Sequence, residues 1–157
     1  MRSTEPTSTM LPHAAPASPY RQLLLFAIRR MAAGGIGDAH AAHAIFTGFG
    51  LGYRRPLVLL RALMAELLRV STVQLKVAPY CCPRMTRDEA MLLDLIADAP
   101  TRPLQVHQAI GDLLHVYGCL GALSSAAAVA NAFADLGMPL GDRLQKLQLR
   151  WTVFDWR

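Results

Sequence analysis

Apolar residues recur with the three- and four-residue spacing of an α-helix through most of the chain between residues 19 and 150. This spacing is typical of amphipathic helices that pack their apolar faces against one another. The 157 residues are 53% hydrophobic and 17% charged, a balance that excludes an intrinsically disordered chain and allows a core of its own. The sequence therefore predicts an all-α protein, a compact bundle of six to seven helices forming a single domain over residues 19–150.

Local signals mark where the helices begin. Pro19 follows Ser18, and a proline in the first turn after such a residue is typical of a helix start. Asp38 predicts the N-cap of a short second helix. Residues 56–70 predict a third helix, whose apolar arc is wide enough for the centre of the core.

The clearest signal is a capping box at Thr86-Arg87-Asp88-Glu89. In this motif the Thr86 hydroxyl accepts a hydrogen bond from the backbone of Glu89, and the Glu89 carboxylate accepts one from the backbone of Thr86. The sequence therefore predicts that a fourth helix begins here. Further helices are predicted near 103–117, 120–136 and 140–150.

Three segments depart from the helical pattern. Val73, Leu75 and Val77 alternate with polar or small residues, which predicts one short strand or extended element over 73–77. Its partner in this interpretation is the segment 151–156. Residues 1–18, which contain three prolines, predict a disordered N-terminal tail, and residues 151–157 are treated as a C-terminal tail.

Residues 113–134 contain no charged side chain and are long enough to cross a bilayer. Much of this stretch is alanine, which supplies little transfer free energy, so one or two buried helices are expected and a membrane span is not. The first nineteen residues contain no apolar core of a signal peptide. A cytoplasmic location follows as the expectation, and with it free thiols at Cys81, Cys82 and Cys119.

The net charge of +5 is unevenly distributed along the chain. Residues 1–76 carry nine basic and three acidic side chains, a balance of +6, whereas residues 77–157 carry seven and eight, a balance of −1. The arginines are scattered and only 7% of residues are aromatic, so the sequence predicts no nucleic-acid site. A protein partner or self-association is the expected mode of action.

The segment that contains Cys81 and Cys82 is the best candidate for chemistry. It leads into the predicted start of the fourth helix, where the partial positive charge of a helix N-terminus favours a thiolate. Arg84 adds positive charge there, and Thr86 is the predicted cap. The competing interpretation is that both cysteines are small apolar side chains in the core.

Metal binding is a second hypothesis. His40 and His43 are three residues apart on a predicted helix and so share one face. Together with Cys81 and Cys82 they would supply the four ligands of a tetrahedral zinc site. Adjacent cysteines do not readily point at one ion, so the expectation is no cofactor, with zinc as the alternative.

Several segments resemble a small bacterial family of unknown function: Leu25–Gly35, Asp38–His43, Arg54–Leu59, and Ala78–Cys82 with Arg84–Thr86. The resemblance covers about residues 11–140. It implies a compact intracellular bacterial protein and assigns no activity and no catalytic residue. The sequence thus favours a non-enzymatic protein-interaction or regulatory module, with a thiol- or metal-binding protein at the Cys81–Cys82 loop as the alternative.

Overall fold

The computed structural model describes residues 11–141, and 67% of these residues are helical. Six α-helices follow one another along this part of the chain: α1 (Pro19–Gly34), α2 (Ala39–Phe49), α3 (Arg54–Val70), α4 (Arg87–Asp98), α5 (Pro103–Leu114) and α6 (Leu120–Asp135). A 3-10 turn, Gly50–Tyr53, joins α2 to α3. The predicted all-α class is confirmed. The helix predicted near 140–150 and the segment 151–157 lie outside the described residues.

The centre of the molecule is an antiparallel pair formed by α3 and α6. At one end of the pair, Arg55 Nη1 lies 2.7 Å from Asp135 Oδ2. At the other end, Gly121 of α6 lies so close to Glu66 of α3 that a side chain at position 121 would collide with the carboxylate. The remaining helices pack around this pair, with α1 against α2 and α4 against α1, α5 and α6.

One apolar core joins all six helices. Its fully buried larger side chains are Leu24, Ile28, Ile45, Leu60, Leu63, Ile96, Leu114, Val129 and Phe133. Each such side chain contributes about 1.5–3 kcal/mol by leaving water. Leu68 of α3 does not join this core and is 73% exposed. Leu68 continues the apolar spacing of this helix, so the buried arc at the end of α3 is narrower than the wide arc predicted from the sequence.

The predicted helix starts agree with the structure. The Asp38 side chain caps α2 by accepting from Ala41 N at 2.9 Å, and both hydrogen bonds of the capping box at Thr86 are present. α5 ends at Leu114, because His115 adopts a left-handed conformation with φ 55°. The uncharged stretch 113–134 is therefore divided between two helices, and no helix within residues 11–141 is long and apolar enough to cross a membrane.

The strand prediction is wrong in its position. The short antiparallel pair consists of β1 (His13–Ala14) and β2 (Arg84–Met85), whereas residues 73–77 form no strand. Acidic side chains of α4 accept hydrogen bonds from backbone amides in this segment and just after it. Lys76 N donates to Asp88 Oδ2 at 2.8 Å, and Ala78 N donates to a Glu89 oxygen at 3.0 Å. The proposed partner strand, 151–156, lies outside the described residues.

The pairing of β1 also changes the prediction for the N-terminal tail. Residues 13–14, which were expected to be disordered, form β1, and the backbone there is held from β2. The Arg84 guanidinium donates to the carbonyls of Leu11 and Pro12, both at 2.8 Å. Ordered chain thus begins before Ser18, because a side chain 72 residues or more away satisfies these carbonyls.

Candidate functional site

A buried ion pair between Arg29 of α1 and Glu89 of α4 organises the segment that carries the cysteines. Arg29 is 4% and Glu89 2% exposed. One edge of the guanidinium binds the carboxylate, with Nε donating to Oε1 at 2.7 Å and Nη2 donating to Oε2 at 2.9 Å. Such bidentate, charge-assisted pairing is among the stronger hydrogen bonds in proteins.

The remaining hydrogen-bonding capacity of this pair is used by the backbone of residues 78–86. Arg29 donates at 2.7 Å to the carbonyl oxygens of Cys82 and Arg84. Glu89 accepts from the amides of Ala78 at 3.0 Å and Thr86 at 2.8 Å. We call this set of contacts the Arg29–Glu89 clamp. It fixes the backbone of the loop between α3 and α4, and the opposite charges of Arg29 and Glu89 compensate each other within the fold.

Thr86 belongs to the same network. Its hydroxyl accepts from Glu89 N at 3.1 Å and donates to the Lys76 carbonyl at 2.6 Å. The predicted capping residue therefore has a second task, because it ties the start of α4 to the segment that precedes the cysteines. The side chain of Arg84, the other predicted residue, donates to the carbonyls of Leu11 and Pro12 and so holds the chain that precedes α1.

Cys81 and Cys82 lie on a tight turn that the clamp positions. Cys82 N donates to the Pro79 carbonyl at 3.0 Å, which closes the turn. The Cys81 side chain is exposed, Cys82 is half-buried and the third cysteine, Cys119, is buried. The two adjacent cysteines therefore differ in exposure.

His40 is brought to the edge of this turn through an arginine. Arg30 binds the Asp38 carboxylate with Nε at 3.2 Å and Nη2 at 3.0 Å, and Nη2 also lies 2.9 Å from His40 Nδ1. The Arg30 guanidinium stacks over the Tyr80 ring, 4.9 Å from its centroid. The hydrogen bonds from Arg30 and from the Ala41 amide hold the pKa of Asp38 below its ordinary value.

The structure does not assemble the four residues of the zinc hypothesis into a cluster. Within residues 11–141 no three His, Cys, Asp or Glu side chains are placed to hold a metal ion. His40 contacts Arg30, and His43 instead faces a groove between α1 and α2. The sequence spacing was compatible with a shared helix face, but neighbouring elements engage each histidine separately.

An open groove of about 660 Å³ runs between α1 and α2. Its walls are mainly apolar and include Tyr20, Leu23 and Phe26 of α1, Ala44 and Gly48 of α2, and Met138. We call this the α1–α2 groove. At Gly48 the two helices are in close contact, since a Cβ there would lie 2.5 Å from Leu23 Cδ2. The groove therefore exposes apolar side chains over a floor that is closed by tight packing.

The α1–α2 groove continues toward the cysteine turn through an aromatic contact. The rings of Phe26 and Tyr80 meet edge to face with their centroids 6.2 Å apart, and Tyr80 is 53% exposed. The Arg30 guanidinium lies over the same Tyr80 ring. Aromatic and arginine side chains in this arrangement are the types most enriched at the centres of protein interfaces.

A second cavity of about 530 Å³ lies at the end of α5 and is lined by His107, Asp112, His115 and Tyr117 among others. His107 Nε2 is buried without a hydrogen-bond partner among the described residues. The carbonyl of the same residue accepts from the Cys119 thiol, with Sγ 3.2 Å away. Burial raises the pKa of that thiol.

Sequence reasoning missed the central residue of the clamp. Arg29 was not singled out from the sequence, but the structure buries it. Its partner Glu89 is 60 residues away, and no local spacing connects the two. The one available signal was the capping box, because it buries a glutamate whose second oxygen then requires a donor.

Comparison with known proteins places the chain among its relatives. The model of a family of unknown function, DUF6628, matches residues 2–143. The chain belongs to this family. The expected resemblance to a family of unknown function is thereby confirmed, and the DUF6628 match includes the clamp, the cysteine turn and the α1–α2 groove. No curated protein and no solved structure matches the chain significantly.

Proposed function

We propose that the protein is a non-enzymatic interaction module that binds an amphipathic helix of a partner protein in the α1–α2 groove. The observation that carries the proposal is the exposed apolar lining of that groove. Tyr20, Leu23 and Phe26 follow one another at three-residue intervals along one wall, with Ala44 and Gly48 four residues apart on the other. Ridges and grooves with these spacings are what one helix offers to another.

The aromatic end of the groove supports the same proposal. Tyr80 extends the apolar surface beyond Phe26, and Arg30 offers a cation and hydrogen-bond donors beside it. A partner helix that fills the groove would place one of its ends over this pair. Tyrosine and arginine in such positions account for a large share of binding energy in many interfaces.

A site-specific crosslinking experiment tests the proposal. A photo-reactive amino acid at position 44 faces the groove, and the same group at position 104 provides the control on the exposed face of α5. Proteins captured at position 44 and not at position 104 are identified and purified. Each is then titrated against the wild type and against the Leu23→Glu and Leu104→Glu variants, with far-ultraviolet circular dichroism as the check on folding.

The proposal predicts that Leu23→Glu weakens binding about tenfold or more and that Leu104→Glu leaves the affinity unchanged. A charge in the groove would have to lose its water when the partner binds, which costs free energy. Leu104 is exposed and does not line the groove, so a charge there should have no such effect. Ala44→Glu is the second groove variant, in case Leu23→Glu perturbs packing against Gly48. Wild-type affinity in both folded groove variants would contradict the proposal.

A second candidate is thiol chemistry at the Cys81–Cys82 turn, which the exposure of the Cys81 side chain favours. The clamp fixes the backbone around this thiol, as a reactive group requires. If this function is correct, Cys81→Ser abolishes whatever activity or modification the protein shows while Leu23→Glu does not. Labelling rates for the three thiols, described below, give a direct measurement of this candidate.

A further inference from the structure

The antiparallel pair of α3 and α6, at the centre of the fold, has one face that no other element within residues 11–141 covers. On α3, the Val58 side chain is 61% exposed. Ala62 and Ala65 follow it by four and seven residues and are exposed as well. This spacing places the three side chains on one side of the helix. The most extensively packed helix of the protein therefore still presents an uncharged surface to solvent.

α6 continues this surface at the same level. The contacts at the two ends of the pair, described above, fix its antiparallel register. In that register Asn131 lies level with Val58, and Ser124 lies level with Ala65. Asn131 and Ser124 are exposed, and Ala128 between them is half-buried. Small side chains such as these allow another pair of helices to approach closely. We call the surface formed by Val58, Ala62, Ala65, Ser124, Ala128 and Asn131 the α3–α6 face.

Each end of the α3–α6 face carries an arginine that is paired with a carboxylate. Arg55 binds Asp135 at one end, and Arg69 binds Glu66 at the other, both at 2.7 Å. Arg55 and Glu66 are eleven residues apart, about three turns, so they lie on the same side of α3. If a second copy packs on this face with its α3 antiparallel, Arg55 of each copy comes close to Glu66 of the other. The charges of the face are therefore complementary to those of a second, reversed copy.

The size of the α3–α6 face also suits association with a second copy. α3 has 17 residues and α6 has 16, so both are about 25 Å long. Two packed helices are about 20 Å wide with their side chains, which gives about 500 Å² in projection and more in accessible surface. Specific interfaces bury about 600–1,000 Å² on each partner. The face therefore fits a small dimer interface, of the kind that dissociates on dilution.

We propose that two copies of the chain associate through the α3–α6 face, about a two-fold axis that pairs Arg55 of each copy with Glu66 of the other. A two-fold interface uses the same patch on both subunits, so the patch has to be complementary to itself. The small side chains at the centre and the opposite charges at the two ends meet that requirement. The α1–α2 groove is lined by no residue of α3 or α6, so the dimer and the proposed partner use separate surfaces.

Sedimentation velocity of the full chain over a series of concentrations tests the proposal. The wild type should change from monomer to dimer at concentrations below about 0.1 mM. Ala62→Glu and Ala65→Glu each place two like charges near the centre of the dimer and should raise its dissociation constant about tenfold or more. Ala32→Glu is the matched control, because it changes an exposed alanine of α1, and it should leave the dissociation constant unchanged. Far-ultraviolet circular dichroism checks that each variant is folded.

An exchange of charges tests the pairing at the ends of the face. Arg55→Glu and Glu66→Lys should each weaken the homodimer, because each opposes like charges across the two-fold axis. An equimolar mixture of the two variants should form a heterodimer, because both ends of the interface then contain opposite charges again. The contacts inside each chain are the same before and after mixing, so a gain in dimer on mixing reports the contact between copies.

Four results would overturn the proposal. The first is a monomeric mass for the wild type at every concentration up to about 0.1 mM. The second is wild-type dimerisation in both Ala62→Glu and Ala65→Glu, which would place the contact elsewhere. The third is the absence of a heterodimer in the mixture, which would exclude the pairing of Arg55 with Glu66. The fourth is loss of the dimer in folded Leu23→Glu, which would place the second copy in the α1–α2 groove.

Discussion

Helix α1 contributes to two regions of opposite character. The Arg29–Glu89 clamp buries charged side chains, whereas the α1–α2 groove exposes apolar side chains. In the clamp, Arg29 and Glu89 meet four backbone groups in addition to each other. In the groove, Leu23 and Phe26 remain partly open to water. Polar groups with all their partners inside the fold serve the fold, whereas apolar surface that lacks a partner is available to a ligand.

This difference assigns separate roles to two regions that share α1. The clamp determines where the cysteine turn and Tyr80 lie, and Tyr80 in turn extends the groove. Changes in the clamp should therefore reduce stability first, while changes in the groove should reduce binding with little loss of stability. Each prediction below tests one side of that division.

The largest effect is expected from Arg29→Ala. This change leaves the Glu89 carboxylate buried without its counter-ion, and breaking a buried pair in this way costs about 3–5 kcal/mol. Urea denaturation gives the free energy of unfolding. The double variant Arg29→Met/Glu89→Leu should recover part of the loss, because neither partner is then left charged. A loss no larger than that of the exposed-pair variant Arg69→Ala would show that the clamp is not formed.

A smaller loss is expected from Thr86→Ala, about 1–2 kcal/mol in the same denaturation experiment. The change removes the N-cap of α4 and also the hydrogen bond to the Lys76 carbonyl. Thr101→Ala is the matched control, since the Thr101 hydroxyl is exposed and donates only to the nearby Asp98 carbonyl. Equal midpoints for wild type and Thr86→Ala would contradict the network described for this residue.

The three thiols should react at different rates. Cys81 is exposed and should label first, Cys82 is half-buried and slower, and Cys119 should label last because burial raises its pKa. We expect Cys81 to react at least about tenfold faster than Cys82, because the Cys81 side chain is exposed and that of Cys82 is half-buried. Mass spectrometry of the native protein after brief labelling measures this. Equal, slow labelling of Cys81 and Cys82 would end the thiol candidate.

The smallest effect concerns acid. Arg30 and the Ala41 amide lower the pKa of Asp38, so the folded state holds this carboxylate ionised more strongly than the unfolded chain does. Its contribution to stability is complete above about pH 4, the ordinary range for an aspartate, and disappears as the pH falls through the lower folded value. Asp38→Asn should therefore be less stable than the wild type near neutral pH, and the difference should shrink in acid. A difference that is constant from neutral pH into acid would refute this linkage.

The sequence predicted those features that arise from neighbouring residues. Asp38 and Thr86 cap their helices as expected, because a cap is formed within three residues of the chain. The α1–α2 groove was not predicted, since helical periodicity identifies an apolar face but not whether another helix covers it. Leu68 illustrates the same difficulty, because it continues the apolar pattern of α3 and yet lies exposed.

Features that depend on distant residues were predicted wrongly or not at all. The alternation at 73–77 is typical of a strand, but Asp88 and Glu89 bind the backbone amides of Lys76 and Ala78. His40 and His43 have the spacing of a metal pair, but the first contacts Arg30 and the second lines the groove. Tertiary contacts decide such cases, and single-sequence spacing contains no record of them.

The most direct test of whether a partner binds at the groove rather than at the cysteine turn is the affinity of one crosslink-identified partner for two folded variants. Ala44→Glu places a charge in the groove, and Cys81→Ser removes the exposed thiol while leaving the clamp intact. We predict that Ala44→Glu weakens binding about tenfold or more and that Cys81→Ser leaves the dissociation constant unchanged. Loss of binding in Cys81→Ser, with wild-type affinity in Ala44→Glu, would contradict this account.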